Sequence, residues 1–405
     1  MTQGPTRRPS LDEFARELTV ALREAGFDGA IDHDRAKGRL ALGGDRAIDL
    51  GPLHKQLADL PASDRLRNLA NVAGMIAHPP ALPATWAEAK DLVVPQVRTQ
   101  WSLVATDTEA HAAGRAEPIP RAPITAHLAF ELVVPVGAIR LAVTMAALER
   151  WGVAVDDAYR QGGDNLRRRP DPGWRASPDA PGVYASGWAD GFDASRLFLP
   201  RAFAGLPLRG RPVVLAPGAE RILVADAADE NALFQLARVA RQMFERSKRF
   251  HFLRAVRMGD DGETWHDFMP PRDHPAHDPL RALRGAEEVH DAAQHVELVR
   301  RLAPPGHQVM PMPALHVLSS PLGETLTFTV WRAGKPTSLP LADAVILVNG
   351  DDVLGFAPWD ALRKAVPGSL RAPQGYPPRA FAGDFPEPWQ LGGLELKPWG
   401  GPLPA

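Results

Sequence analysis

Cysteine is absent from all 405 residues, which excludes disulfide bonds, thiolate metal centres and a cysteine nucleophile. Long apolar runs are missing too. No stretch approaches the ~18 consecutive apolar residues of a membrane-spanning helix, so no membrane association is expected. The N-terminal residues include Arg7 and Arg8 but no apolar segment follows them, so a secretory signal is not expected and the cytoplasm is the expected location. Neither sign of charge dominates: 46 Lys and Arg stand against 48 Asp and Glu, a formal charge of −2, which leaves no electrostatic footprint for nucleic-acid binding. Glycine-rich phosphate loops, dinucleotide fingerprints and kinase motifs are also missing.

What is present is a chain long enough for two or three domains, with 41 prolines and 35 glycines that predict many loops. Ser10-Leu11-Asp12-Glu13 reads as a capping box, in which the Ser10 hydroxyl and the Glu13 carboxylate satisfy free N–H groups at the start of a helix. Leu11, Phe14, Leu18 and Leu22 then recur at helical spacing up to Gly26. A second helix is predicted over residues 63–77, and these elements with short strands make residues 1–90 a small α+β module. Residues 92–98 and 128–136 read as strands, residues 106–123 as a loop, and residues 144–150 and 156–168 as helices. Residues 213–216 and 222–225 are β-branched runs around Pro217-Gly218, a hairpin pattern. Asp229 is placed to cap a long helix, and residues 253–258 return as a strand.

Residues 259–279 are dense in Asp, His and Pro and read as a break before a charged helix ending near 302; together residues 259–305 form a polar linker and helix. In Thr325-Leu326-Thr327-Phe328-Thr329-Val330-Trp331 the alternation puts Leu326, Phe328 and Val330 on one face of a half-buried strand. Asn349-Gly350 is a hairpin turn signal. Residues 306–366 are thus expected to be a β-rich C-terminal module, and residues 367–405, with nine prolines, a loose tail. The predicted class is α+β, a mixed sheet covered by helices.

The central third, residues 91–258, resembles the YtpQ-like, or DUF1444, family of uncharacterised bacterial proteins. The matching pieces occur in order: Val94-Pro95-Gln96-Val97-Arg98, Leu148-Glu149-Arg150-Trp151-Gly152-Val153, Asn165-Leu166-Arg167-Arg168, Asp190-Gly191-Phe192-Asp193-Ala194-Ser195-Arg196-Leu197 and Arg221-Ile222-Leu223-Val224-Ala225-Asp226. The resemblance implies an α+β protein and no established activity. Phe192 stands where the family usually has Tyr, so no role for a phenolic hydroxyl carries over.

Three constellations bear on chemistry. Asp190, Asp193, Ser195 and Arg196 lie at a predicted strand–turn–helix junction, which presents carboxylates and free N–H groups to a ligand. The competing reading makes Asp193 an N-cap and pairs Arg196 with Asp190. Ser195 lacks a Gly-x-Ser-x-Gly elbow. His266, Asp273, His274 and His277 offer nitrogen and oxygen ligands for a divalent ion, at spacings that match no established metal motif. Arg167, Arg168 and Arg169 beside Trp174 could grip phosphate, or simply complement a helix C-terminus.

No complete catalytic set can be assembled from these residues. The expected function is therefore non-enzymatic, exercised through contacts with a protein partner, with the C-terminal module as a docking element and no cofactor. The alternative is a metal-dependent or phosphate-binding hydrolase in which Asp190 and Asp193 converge with the His266, His274 and His277 cluster.

Overall fold

The structure is a computed structural model, and it describes residues 8–43, 47–136, 139–218, 221–247, 250–304, 306–319 and 324–399. The N-terminal stretch through Arg7 and the last prolines beyond 399 lie outside the described residues. The chain divides into two compact units, Met1–Leu82 and Pro83–Ala405.

In the first unit the capping box forms as the sequence predicts: the Ser10 amide donates to Glu13 Oε2 at 2.8 Å and the Glu13 amide to Ser10 Oγ at 3.2 Å. The Leu11–Glu24 helix that follows buries Phe14, Leu18 and Leu22 completely, each burial contributing about 1.5–3 kcal/mol. Against them pack helices Leu50–Leu57 and Ala62–Ala77 and a three-stranded antiparallel meander, Asp32–Asp34, Arg39–Ala41 and Ala47–Asp49. Arg65, nearly buried, is held by a two-pronged pair with Glu17.

The second unit contains the expected α+β architecture. Its first sheet is built around Leu128–Val136, which pairs antiparallel with Val94–Thr99, Arg121–Pro123 and Ile139–Ala142. Its second has six strands in the order Trp265–Asp267, Phe252–Met258, Pro212–Gly218, Arg221–Asp226, Tyr184–Ser186, Trp174–Ala176, antiparallel at every pairing. The expected hairpin is the pairing of Pro212–Gly218 with Arg221–Asp226; residues 219 and 220 lie outside the described residues. The mixed sheet is the C-terminal one, where Thr325–Arg332 runs parallel to Ala344–Asn349, flanked by His316–Ser319 and Asp352–Pro358.

Helix His277–Leu302 joins these parts. It packs on Phe252–Met258 and also on Thr325–Arg332, which is why buried positions occur all around it, Glu287 and Asp291 included. Gly285 lets the helix approach the neighbouring strand His316–Ser319 closely: a Cβ there would lie 2.9 Å from Val317 Cγ2, so something must shift to admit a larger residue. No helix among the described residues is long and apolar enough to cross a membrane.

Four expectations are corrected. Residues 100–112 form a helix, Gln100–Ala112, inside the stretch read partly as loop; Thr99 caps it through the Ser102 amide. An edge strand, Trp265–Asp267, interrupts the stretch expected to be a break. The strand Thr325–Arg332 is buried on both faces rather than one, with Trp331 and Thr329 fully inside, because the helix covers one side and residues from the tail cover the other. That tail is ordered over residues 367–399. Arg379–Ala382 pairs with Thr337–Pro340, and Leu370, Ala380, Ala382 and Leu391 share a core with Trp331 and Val345.

Candidate functional site

The segment after strand Tyr184–Ser186 turns through two left-handed residues, Ala189 (φ 49°) and Gly191 (φ 72°), into a short 3-10 helix, Ala194–Phe198. Asp193 occupies the N-cap position of this helix but does not cap it through its side chain. Its backbone is itself helical (φ −53°, ψ −49°) and its side chain makes no capping bond. Instead the Asp193 carboxylate reaches back, accepting from the Ser186 hydroxyl and, at 3.3 Å, from the Ala189 amide. It closes the turn rather than starting the helix. Burial raises its pKa, an effect the Ser186 and Ala189 donors partly offset.

Asp190 and Arg196 do pair, as the sequence suggests. Arg196 donates Nη1 to Oδ1 and Nη2 to Oδ2, both at 3.0 Å, while Arg169 approaches Oδ2 at 3.4 Å and the Phe192 amide donates to Oδ1 at 2.9 Å. Burial opposes ionisation of Asp190, but the Arg196 and Phe192 donors outweigh it and hold the carboxyl below its usual pKa. Aromatic faces complete the packing. The guanidinium carbons of Arg140 and Arg169 each lie 4.5 Å from the Phe192 ring centroid, and that of Arg196 lies 4.7 Å from Trp188. A phenolic hydroxyl at position 192 plays no part in these contacts. Ser195 is 1 % exposed, out of reach of a substrate.

Beside this knot is a cavity of about 970 Å³. Arg167, Arg169, Arg196 and Arg201 line it with Asp171, Asp261, Glu263, Trp188 and Leu199. Arg167 is held by Asp164, and Asp261 by the Thr264 hydroxyl and the Glu263 and Thr264 amides, which draw its pKa down to about 2. Arg201 is exposed and has no ion pair among the described residues.

The imidazoles proposed as metal ligands have separate local partners. His266 Nε2 meets Thr264 Oγ1 at 3.2 Å, His274 Nδ1 accepts from the Ala276 amide at 3.0 Å, and His277 Nδ1 lies 2.8 Å from the Pro270 carbonyl. Asp273 is exposed. Among the described residues no three His, Asp or Glu side chains are grouped to hold a metal ion.

A second cavity, of about 680 Å³, lies where Phe252–Met258, helix His277–Leu302, Thr325–Arg332 and residues 375–378 come together. Glu287 is completely buried behind it. Its Oε2 accepts from the Leu253 and Arg254 amides, and its Oε1 is 3.2 Å from Arg254 Nε. A buried carboxylate requires such partners; burial nonetheless raises its pKa against the pull of Arg254. Arg254 Nη1 sits 2.5 and 2.7 Å from the two ring nitrogens of His127, and Asp267 is 3.4 Å from His127 Nε2. Burial, with Arg254 and Arg284 adding to it, depresses the His127 pKa to about 3. On the helix, Glu288 holds both Arg281 (3.1 Å) and Arg284 (2.9 Å); Arg281 also reaches Asp343 and the Thr327 hydroxyl. Asp291, 3 % exposed, accepts from the Tyr376 hydroxyl at 3.3 Å. Burial and then the neighbouring Glu287 push its pKa up to about 7, and burial pushes that of Tyr376 up as well.

Comparison with family models, curated proteins and solved structures finds no match. The chemistry is therefore read from geometry alone. The first cavity offers cations and an indole at a surface. The second places a tyrosine, a neutral imidazole and four guanidiniums around one space, with Glu288, Asp343 and Asp360 also in the lining. Sequence reasoning missed the second because its members run from His127 to Tyr376 with no local spacing. One signal was available: Glu287 and Asp291 are four apart on a helix that the chain also needs for core packing.

Proposed function

We propose that this chain is a YtpQ-like cytoplasmic protein that acts by binding a partner protein, with its signature segment serving as scaffold rather than catalyst. One observation supports this reading. Asp190, Asp193 and Arg196 are each engaged by another group of the same segment, while Arg169 and Arg196 also line the 970 Å³ cavity with Arg167, Arg201 and Trp188. The segment positions that lining: Asp190 fixes two guanidiniums, and Arg196 in turn packs on Trp188. An acidic side chain flanked by apolar ones matches such a cavity, since guanidinium forks pair with carboxylates and the indole and Leu199 supply apolar wall.

Native mass spectrometry of the purified chain, with a short Glu- and Leu-containing peptide as probe, tests the reading. A metal-free chain that binds the peptide, and loses it on Arg201→Glu, is the expected result. Stoichiometric divalent metal, together with phosphate-ester hydrolysis that disappears in Asp193→Asn, would overturn it in favour of a metal-dependent hydrolase.

A further inference from the structure

We infer that the 680 Å³ cavity between helix His277–Leu302 and the C-terminal sheet is a binding site for a small organic molecule bearing an oxyanion, a carboxylate or a phosphate, seated where Arg254, Arg284 and His127 meet.

Arg254 is 7 % exposed and its position is fixed by Glu287 from behind. Arg284 is fixed by Glu288, which also holds Arg281. Side chains restrained in this way lose little further freedom when an anion arrives, so they bind it more tightly than free arginines would. His127 lines the same cavity, with both ring nitrogens within 2.7 Å of one Arg254 nitrogen. A neutral imidazole has one lone pair to offer, so it satisfies at most one guanidinium N–H. The Asp267 carboxylate, 39 % exposed and 3.4 Å from His127, faces the imidazole from the edge strand. Burial first, and then Arg254 and Arg284, hold the His127 pKa down, so the imidazole is neutral beside the guanidiniums. An oxyanion at this end would accept from both guanidiniums.

The remaining walls say that the ligand has a body. Trp359, Leu341, Pro340 and Pro378 line the space, and its volume lies in the range of small-molecule sites, roughly 300–1,000 Å³. Tyr376, whose hydroxyl is engaged by Asp291, adds to the same lining. The ligand class is therefore an organic acid or phosphate ester with an apolar portion, not a bare inorganic ion.

The test uses the full chain and two probes that share one ring, benzoate and phenyl phosphate, with inorganic phosphate beside them. Calorimetric titration at pH 7 is run on the parent chain and on Arg284→Gln and Arg201→Gln. Both positions are at least part exposed, and a thermal melt confirms that each variant is folded. Expected is saturable binding of at least one ring probe, tighter than inorganic phosphate, weakened about tenfold or more by Arg284→Gln and unchanged by Arg201→Gln in the other cavity. Whichever probe binds more tightly identifies the oxyanion. As a second readout, the ring probe should shift the His127 imidazole resonances. No saturable binding of either ring probe up to about 10 mM, which bounds any affinity at only a few kcal/mol, overturns the inference. So does binding that Arg284→Gln leaves unchanged, or that Arg201→Gln abolishes. None of these outcomes depends on the protein-binding role proposed for the first cavity.

Discussion

Arg196 and Asp190 form a bidentate pair, two parallel hydrogen bonds of 3.0 Å between a guanidinium that is 2 % exposed and a carboxylate six residues earlier. The pair turns the segment back on itself and carries Trp188 with it, since that ring lies over the same guanidinium. Lysine cannot reproduce the fork or the stacking. Arg196→Lys is expected to destabilise the second unit by about 1–3 kcal/mol, measured as a lowered urea midpoint with unchanged slope.

Gly191 sits at φ 72°, and a Cβ there would run into the Arg140 guanidinium. Gly205, by contrast, has nothing within 4 Å of a built Cβ. Gly191→Ala should therefore cost about 1–3 kcal/mol, while Gly205→Ala leaves the melting temperature nearly unchanged. Equal effects at the two positions would mean that the turn is not the constraint described.

Asp291 keeps its proton in the folded chain up to about pH 7, because it is buried and faces Glu287, with Arg254, the Tyr376 hydroxyl and Glu288 also acting on it. The unfolded chain releases that proton near the ordinary aspartate value. The folded state thus binds more protons in between, so the group's contribution is fully present below the unfolded value and is lost as pH rises through about 7. Asp291→Asn, which mimics the protonated form, should gain on the parent chain as pH goes from 4 to 8, by up to about 1.4 kcal/mol per pH unit inside the window. Chemical denaturation of both chains across that range checks it; a constant difference would contradict it.

Local chemistry was legible in the sequence. The Ser10 and Glu13 capping box, the Asn349-Gly350 hairpin and the pairing of Arg196 with Asp190 each depend on residues within a few positions of one another, and each forms. Errors arose where distant residues decide. The alternation in Thr325–Arg332 implies one wet face, but Thr329 donates to the Ala314 carbonyl and Trp331 is covered by Phe385 from the tail. Prolines in that tail suggested looseness, yet Ala380 and Ala382 pair with strand Thr337–Pro340 and their small side chains fill the core. The helix Gln100–Ala112 runs into a stretch whose Ala, Pro and charge suggest a loop; burial of Trp101 and Leu103 anchors its first turn. Asp193 stands at the expected N-cap position, but its carboxylate bonds Ser186 of the preceding strand in place of a helix amide. The second cavity draws its lining from Ala126 to Pro378, with little local spacing to mark it.

A double-mutant cycle on Asp190 and Arg196, using Asp190→Asn, Arg196→Gln and the pair, tests most directly whether the signature segment is a scaffold. Unfolding free energies of the four chains should give a coupling energy of about 2 kcal/mol or more, with each single change strongly destabilising. Coupling below about 0.5 kcal/mol, the range of independent sites, in variants that stay as stable as the parent would contradict the account and return both residues to the list of candidates for chemistry.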